Sequence, residues 1–177
     1  MKVESMQDLY VHCLNDLYSA EKQLVEALPT VQKAANSKEL KHAIGEHLKE
    51  TKEHQKRLEE IFKDLEEKPG GMTCAAMEGL VKECGEYIET IADKDVVDAG
   101  LIAAAQKVEH YEIASYGTVH TFATMLGYDK HAEILSTTLE EEYAADEHLT
   151  QIAMGSANLQ AIESDESMAT TASKKKK

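Results

Sequence analysis

Four long stretches of this chain place apolar residues three and four positions apart, the spacing that lays a stripe along one face of an α-helix. The first is expected over about residues 5–36, with Tyr10, Leu14, Leu17, Leu24 and Leu28 on its line and Pro29 expected to kink or split it. Asn36 or Ser37 can cap a second helix carrying Leu40, Ile44, Leu58, Ile61 and Leu65. That helix must end by Lys68-Pro69-Gly70-Gly71, the strongest stop signal in the chain. A third runs from near Asp95 through Val97, Leu101, Val108, Val119, Phe122 and Leu126 to Gly127. The fourth runs from Asp129 to about Ser156 with Leu135, Leu139, Leu149 and Ile152 inward. A shorter helical pattern at residues 74–92, with Met77, Leu80, Val81 and Ile88, falls between the second and third.

Two short links and one long connection among four long helices describe an all-α antiparallel bundle with a single crossover that carries an extra short helix. A single long crossover is the ferritin-like arrangement, whereas simple up-down bundles have none. No strand alternation or glycine-rich phosphate loop competes with it. With 177 residues the chain suits one domain. The bundle is expected over residues 1–156. Residues 157–177 turn to Ser, Glu, Thr and Lys and read as a polar, disordered tail.

The formal net charge of −14 argues against a nucleic-acid partner, because phosphate binding needs clustered Lys and Arg. The one basic cluster is Lys174-Lys175-Lys176-Lys177, which reads as a solvated tail. Cys13, Cys74 and Cys84 show no metal-ligand spacing, and no apolar signal-peptide core follows Met1. No apolar run approaches the roughly 20 residues that span a bilayer. A reduced cytoplasmic protein with no membrane partner is the expectation.

The informative residues are those that interrupt the apolar lines. The first line reads Leu14, Leu17, Glu21, Leu24; the second reads Ile44, His47, Glu50, His54, Leu58. Glu109 and Glu112 fall between Ala105 and Val119, and Glu142 and Asp146 between Leu139 and Leu149. Each interruption is near mid-helix, so antiparallel packing brings all of them to one level. A buried, unpaired carboxylate is strongly unfavourable and normally takes up a proton. Four helices delivering acid to one level make sense if cations sit there, since divalent ions take oxygen ligands and imidazole suits iron. Taken singly, Glu21, His47 or His54 is as well explained by an edge position whose stem packs while its head reaches water. Tyr18 and Tyr116 share these faces, either as partners of the acids or as core residues.

The segments Asp16-Leu17-Tyr18-Ser19-Ala20-Glu21-Lys22-Gln23-Leu24, His47-Leu48-Lys49-Glu50-Thr51 and Ala103-Ala104-Ala105-Gln106-Lys107-Val108-Glu109-His110-Tyr111-Glu112-Ile113-Ala114-Ser115-Tyr116-Gly117 resemble the YciF-like bacterial stress proteins of the ferritin-like superfamily. The likeness extends from the N-terminus to about Ile152. It implies a homodimeric four-helix bundle, a dinuclear metal centre and induction under stress, and no settled reaction comes with it. Two metal ions per chain, iron ahead of manganese or zinc, and dioxygen or peroxide are the partners expected. By position, Glu21 matches the first-helix ligand, Glu50 the bridging second-helix ligand, Glu109 and Glu112 the third-helix pair, and Glu142 the fourth-helix ligand. Di-iron members of the superfamily follow two of these acids with His three residues later. Here Glu53 and Ala145 stand there, so His54 and Asp146, four residues on, are the remaining candidates. At most one imidazole is then expected from those two positions. The resulting expectation is a di-iron carboxylate protein that oxidises ferrous iron or reduces peroxide or dioxygen. The alternative is a non-catalytic stress-related bundle with a structural metal site. Without cysteine pairs, a rubredoxin-type second iron site is not expected.

Overall fold

The computed structural model describes residues 2–164. Five α-helices follow in order: α1 Met6–Ala34, α2 Lys38–Asp64, α3 Ala75–Thr90, α4 Lys94–Leu126 and α5 Asp129–Ile152. Their starts follow local chemistry. The Ser5 and Ser37 hydroxyls accept from the Asp8 and Leu40 amides at 3.0 Å, and Asp93 accepts from Asp95 and Val96 at the head of α4. Gly127, at φ 79°, ends α4 in the left-handed region where a side chain would be strained.

Pro29 does not split α1. It sits exposed, where water can satisfy the carbonyl that loses its amide partner. The chain also stays helical beyond the expected end near Ser156. A π-helical turn, Ala153–Ala157, buries Ala153 and Ala157, and α-helix resumes over residues 158–164. The rest of the expected tail, with its four terminal lysines, lies outside the described residues.

α1, α2, α5 and α4 form the four corners of the bundle in that cyclic order, and α3 packs outside against α1 and α4. Each helix is antiparallel to both of its neighbours, because the 65–93 crossover returns the chain to the end where α2 began. Two contacts hold the ends in register. The Asp98 carboxylate on α4 accepts from the Asn36 and Ser37 amides at 2.6 and 2.7 Å, and the Gly70 amide donates to Asn15 Oδ1 at 2.8 Å.

The inward faces follow a strict alternation of three and four. On α1 it is Tyr10, Leu14, Leu17, Glu21, Leu24, Leu28; on α2, Leu40, Ile44, His47, Thr51, His54, Leu58, Ile61. The polar members fall between two apolar half-cores. One gathers Leu24, Leu28, Leu40, Ile44, Leu101, Ile102 and Leu149 against Met77 and Cys84 of α3. The other gathers Tyr10, Leu14, Leu17, Leu58, Ile61, Phe62, Tyr116, Val119 and Leu135. Each buried leucine contributes about 1.5–3 kcal/mol, so two such half-cores can carry an unfavourable polar layer between them. Among the described residues no helix is long and apolar enough to cross a membrane.

Candidate metal centre

The polar layer consists of Glu21 from α1, His47 and His54 from α2, Glu109 and Glu112 from α4, and Glu142 from α5. All six are buried, Glu21, Glu112 and Glu142 completely so. Their donor atoms fall into two groups, each within 4.8 Å: Glu21, His54 and Glu142, and His47, Glu109, Glu112 and Glu142. Glu142 belongs to both. Nine buried side-chain nitrogen and oxygen atoms among the described residues lack a hydrogen-bond partner, and all nine belong to these six residues. Buried polar groups are almost always paired. Nine orphans converging on one point is the pattern expected where cations supply the missing partners. Four carboxylates balance the charge of two divalent ions, with two imidazoles as neutral donors.

The first group is braced from outside. His54 Nε2 lies 2.8 Å from Glu141 Oε2, and Arg57 donates to both oxygens of that carboxylate, through Nη2 at 3.0 Å and through Nη1 at a closer contact. Arg57 Nη1 also donates to Thr138 Oγ1 at 3.1 Å. With its proton committed to Glu141 at Nε2, neutral His54 turns the Nδ1 lone pair on the cluster, as a metal-ligating histidine does. Without metal, His54 Nδ1 lies 3.0 Å from Glu142 and 3.5 Å from Glu21. Burial works against charge there, but Glu142 and Glu21 overcome it and hold the imidazolium, its pKa pushed up to about 11. Burial likewise opposes charge on Glu142, yet His54 and His47 keep that carboxyl below its usual value. Tyr116 donates to Glu21 across the α1–α4 interface, so this tyrosine is a partner of the acids. Tyr18 donates instead to Glu59 at 2.9 Å, away from the cluster.

The second group has no such support. His47 Nε2 is 3.5 Å from Glu109, without hydrogen-bond alignment, and burial depresses its basicity. Burial, and then the charge of Glu142, pushes Glu109 and Glu112 well above the usual carboxylate range. These two acids therefore hold protons until something positive replaces them.

Of the seven residues expected from sequence, five converge: Glu21, His54, Glu109, Glu112 and Glu142. Two do not. Glu50 is 47% exposed, its carboxylate 4.0 Å from His47 Nδ1, because Thr51 takes the inward position. Asp146 lies at the bundle edge, held by Gln106 at 3.2 Å and 3.7 Å from His110. In their place stands His47, which is on the α2 line but is unremarkable as a lone histidine. The signal that singles it out is the seven-residue step to His54 within the run 44, 47, 51, 54, 58, 61. Of the two positions expected to supply at most one imidazole, His54 reaches the cluster, and the second imidazole, His47, also comes from α2.

Comparison with known proteins agrees with this architecture. Residues 5–162 match the family described as a domain of unknown function, DUF892. Protein YciF of Escherichia coli (strain K12) is 46% identical over 162 residues, covering 91% of this chain and 98% of that protein. The crystal structure of the E. coli stress protein YciF superposes with a TM-score of 0.85 at 46% identity, covering 88% of this chain and 99% of that one. A Rhodopseudomonas palustris protein, described as a putative structural protein, gives a TM-score of 0.84 at 44% identity, covering 86% and 97%. A Xanthomonas campestris protein at 22% identity, with a TM-score of 0.72 over 90% and 99% of the two chains, shares the fold. The ferritin-like bundle, its buried acid layer and the match over nearly the whole length place this chain in the DUF892 family, alongside the stress protein YciF.

Proposed function

We propose that this protein holds a dinuclear metal centre, with iron as the metal, and that ferrous iron bound there is oxidised by dioxygen or peroxide. The observation that carries this is the set of nine partnerless buried donor atoms on six residues from four helices. Bound iron would supply Lewis acidity and one-electron chemistry at the midpoint of the bundle. Glu21, His54 and Glu142 would hold one ion, and His47, Glu109 and Glu112 the other, with Glu142 between them. Glu50, at the edge beside His47, and Asp146 are the remaining acids near enough to assist. Four carboxylates favour the higher oxidation state electrostatically. Arg57 and Glu141 keep His54 oriented while its proton is exchanged for metal.

Elemental analysis after anaerobic ferrous loading tests the centre. About two ions per chain are expected, falling to one or none in Glu142→Ala and unchanged in Glu26→Ala on the exposed face of α1. Equal loading in all three would refute the placement. Stopped-flow absorbance on mixing the loaded protein with air or peroxide tests the chemistry. Oxidation no faster than for free iron, with both oxidants, would refute it.

One observation favours a second reading, a structural bundle without redox chemistry: the Glu21–His54–Glu142 group is already charge-paired without metal. In that case partner capture should be independent of metal. The description of the E. coli relative as a stress protein supports a role in the stress response, and we propose a cytoplasmic homodimer, which light scattering of the purified protein checks for the dimer.

A further inference from the structure

The half-core on the α3 side of the acid layer is under-filled. Along the inward lines, the position between Ile102 and Glu109 on α4 is Ala105, and that between Glu142 and Leu149 on α5 is Ala145. Large side chains would interdigitate at these core positions, and two alanines leave a void. On the outer wall Gly85 of α3 adds nothing, since a Cβ built there would meet no atom within 4 Å. The result is a cavity of about 460 Å³, walled by Leu24, Leu28, Ile44, Val108 and Leu149 among others. Its inner end is His47 and Glu109, 8% and 2% exposed, which carry partnerless buried atoms. Its outer margin includes His42, Glu46, Glu50 and His148 of α2 and α5.

We infer that this cavity is a binding site for a small, neutral, apolar molecule, such as an alkyl chain or aromatic ring, seated with one end against His47 and Glu109. Between its two polar ends the wall is apolar, and apolar cavities take apolar guests. Its volume lies within the range of small-molecule sites, about 300–1,000 Å³. Charge selects the class: the Glu46 and Glu50 carboxylates at the margin disfavour an anionic head group. The cavity itself does not depend on metal. That the guest lies against a metal ion rests on the function proposed above.

The neutral dye N-phenyl-1-naphthylamine, titrated into the metal-free full-length protein, tests this directly. Saturable binding with enhanced fluorescence is expected, weakened at least tenfold in Gly85→Leu and in Ala145→Leu. Gly79→Leu, the same change on the same helix but away from the cavity, should bind like the parent. Gly85→Leu removes a helix-interior glycine and so should not impair folding, which keeps the test valid if Ala145→Leu misfolds. No saturable binding by the parent, or equal binding by Gly85→Leu, overturns the site. 1-Octanol should displace the dye at least tenfold better than octanoate; equal competition overturns the assignment of a neutral guest. Cobalt-loaded protein should change its visible absorption on adding 1-octanol, and an unchanged spectrum overturns contact with the metal. Dye binding without iron loading would refute the metal centre and leave the cavity, whereas iron loading without dye binding would do the reverse.

Discussion

The two halves of the acid layer share a carboxylate and little else. Around His54 every charge has an answer: Glu21 and Glu142 inside, then Glu141 and Arg57 outside, with Tyr116 donating to Glu21. Around His47, Glu109 has that imidazole at 3.5 Å without hydrogen-bond alignment, Glu112 has no hydrogen-bond partner among the described residues, and the same half lines an apolar cavity. All six residues are buried, so solvation alone does not separate the two sides. The difference lies in how each half stands without metal. The braced half is held by an ion pair, which a bound cation would replace. In the bare half burial favours the protonated acids, whose protons a bound cation would displace.

The strongest way to break this contrast is to remove one residue from each half in the metal-free protein. His54→Gln leaves buried carboxylates facing each other without their cation and should cost about 3–5 kcal/mol in urea unfolding, as broken buried pairs do. Glu112→Gln replaces a protonated acid by a neutral amide of similar shape and should cost less than about 1 kcal/mol. Similar costs would mean that the halves are electrostatically alike. Both variants should nonetheless lose iron.

Metal should close most of the gap between the halves. At a free-ion concentration about a hundredfold above Kd, one ion adds about 2.7 kcal/mol to the native state. For a chain of this length that raises Tm by roughly 5–10 °C. Equal melting temperatures for chelated and verified iron-loaded samples would count against an internal site.

Arg57 acts at one remove, through Glu141 on His54. Arg57→Gln should weaken affinity at the braced site by about 10–100-fold, as losing an outer-shell partner does. The stoichiometry at saturating iron should be unchanged, and Arg57→Lys should recover part of the affinity. An Arg57→Gln titration identical to the parent's would make the contact merely structural.

The two halves should also differ in pH dependence. His54 titrates near 11 in the fold against about 6.5 in an unfolded chain. A raised folded value means that the native state binds the proton more tightly. Its contribution is therefore full below about pH 6.5 and is lost as pH rises toward 11. Denaturation midpoints of the metal-free protein should fall across that window, and His54→Gln should flatten the fall.

Much of this was legible in the chain because helical periodicity is local. The inward lines of α1, α4 and α5 placed Glu21, Glu109, Glu112 and Glu142 without knowledge of any neighbour, and Lys68-Pro69-Gly70-Gly71 marked the crossover. α2 was ambiguous for a physical reason. Both 47–50–54 and 47–51–54 fit an alternation of three and four, and they differ by about 100° in where the middle residue points. Only packing against α1 and α5 turned Thr51 in and Glu50 out. Whether Pro29 splits α1 was not legible, because its cost depends on whether water reaches the freed carbonyl, a property of the assembled surface.

The sequence by itself determined that four helices would each bury a stripe and that the stripes of α1, α4 and α5 would carry acid at one depth. Tertiary structure alone decided which acids meet, that both imidazoles come from α2, and that Arg57 and Glu141 stand behind only one of them. It also decided that Ala105, Ala145 and Gly85 surround a single void. Those facts join residues as far apart in the chain as Glu21 and Glu142. They depend on the register between antiparallel helices, set where Asp98 holds the α1–α2 turn and the crossover returns the chain. A periodicity of 3.6 residues carries the direction of each side chain around its own helix axis. It carries nothing about what stands across the gap.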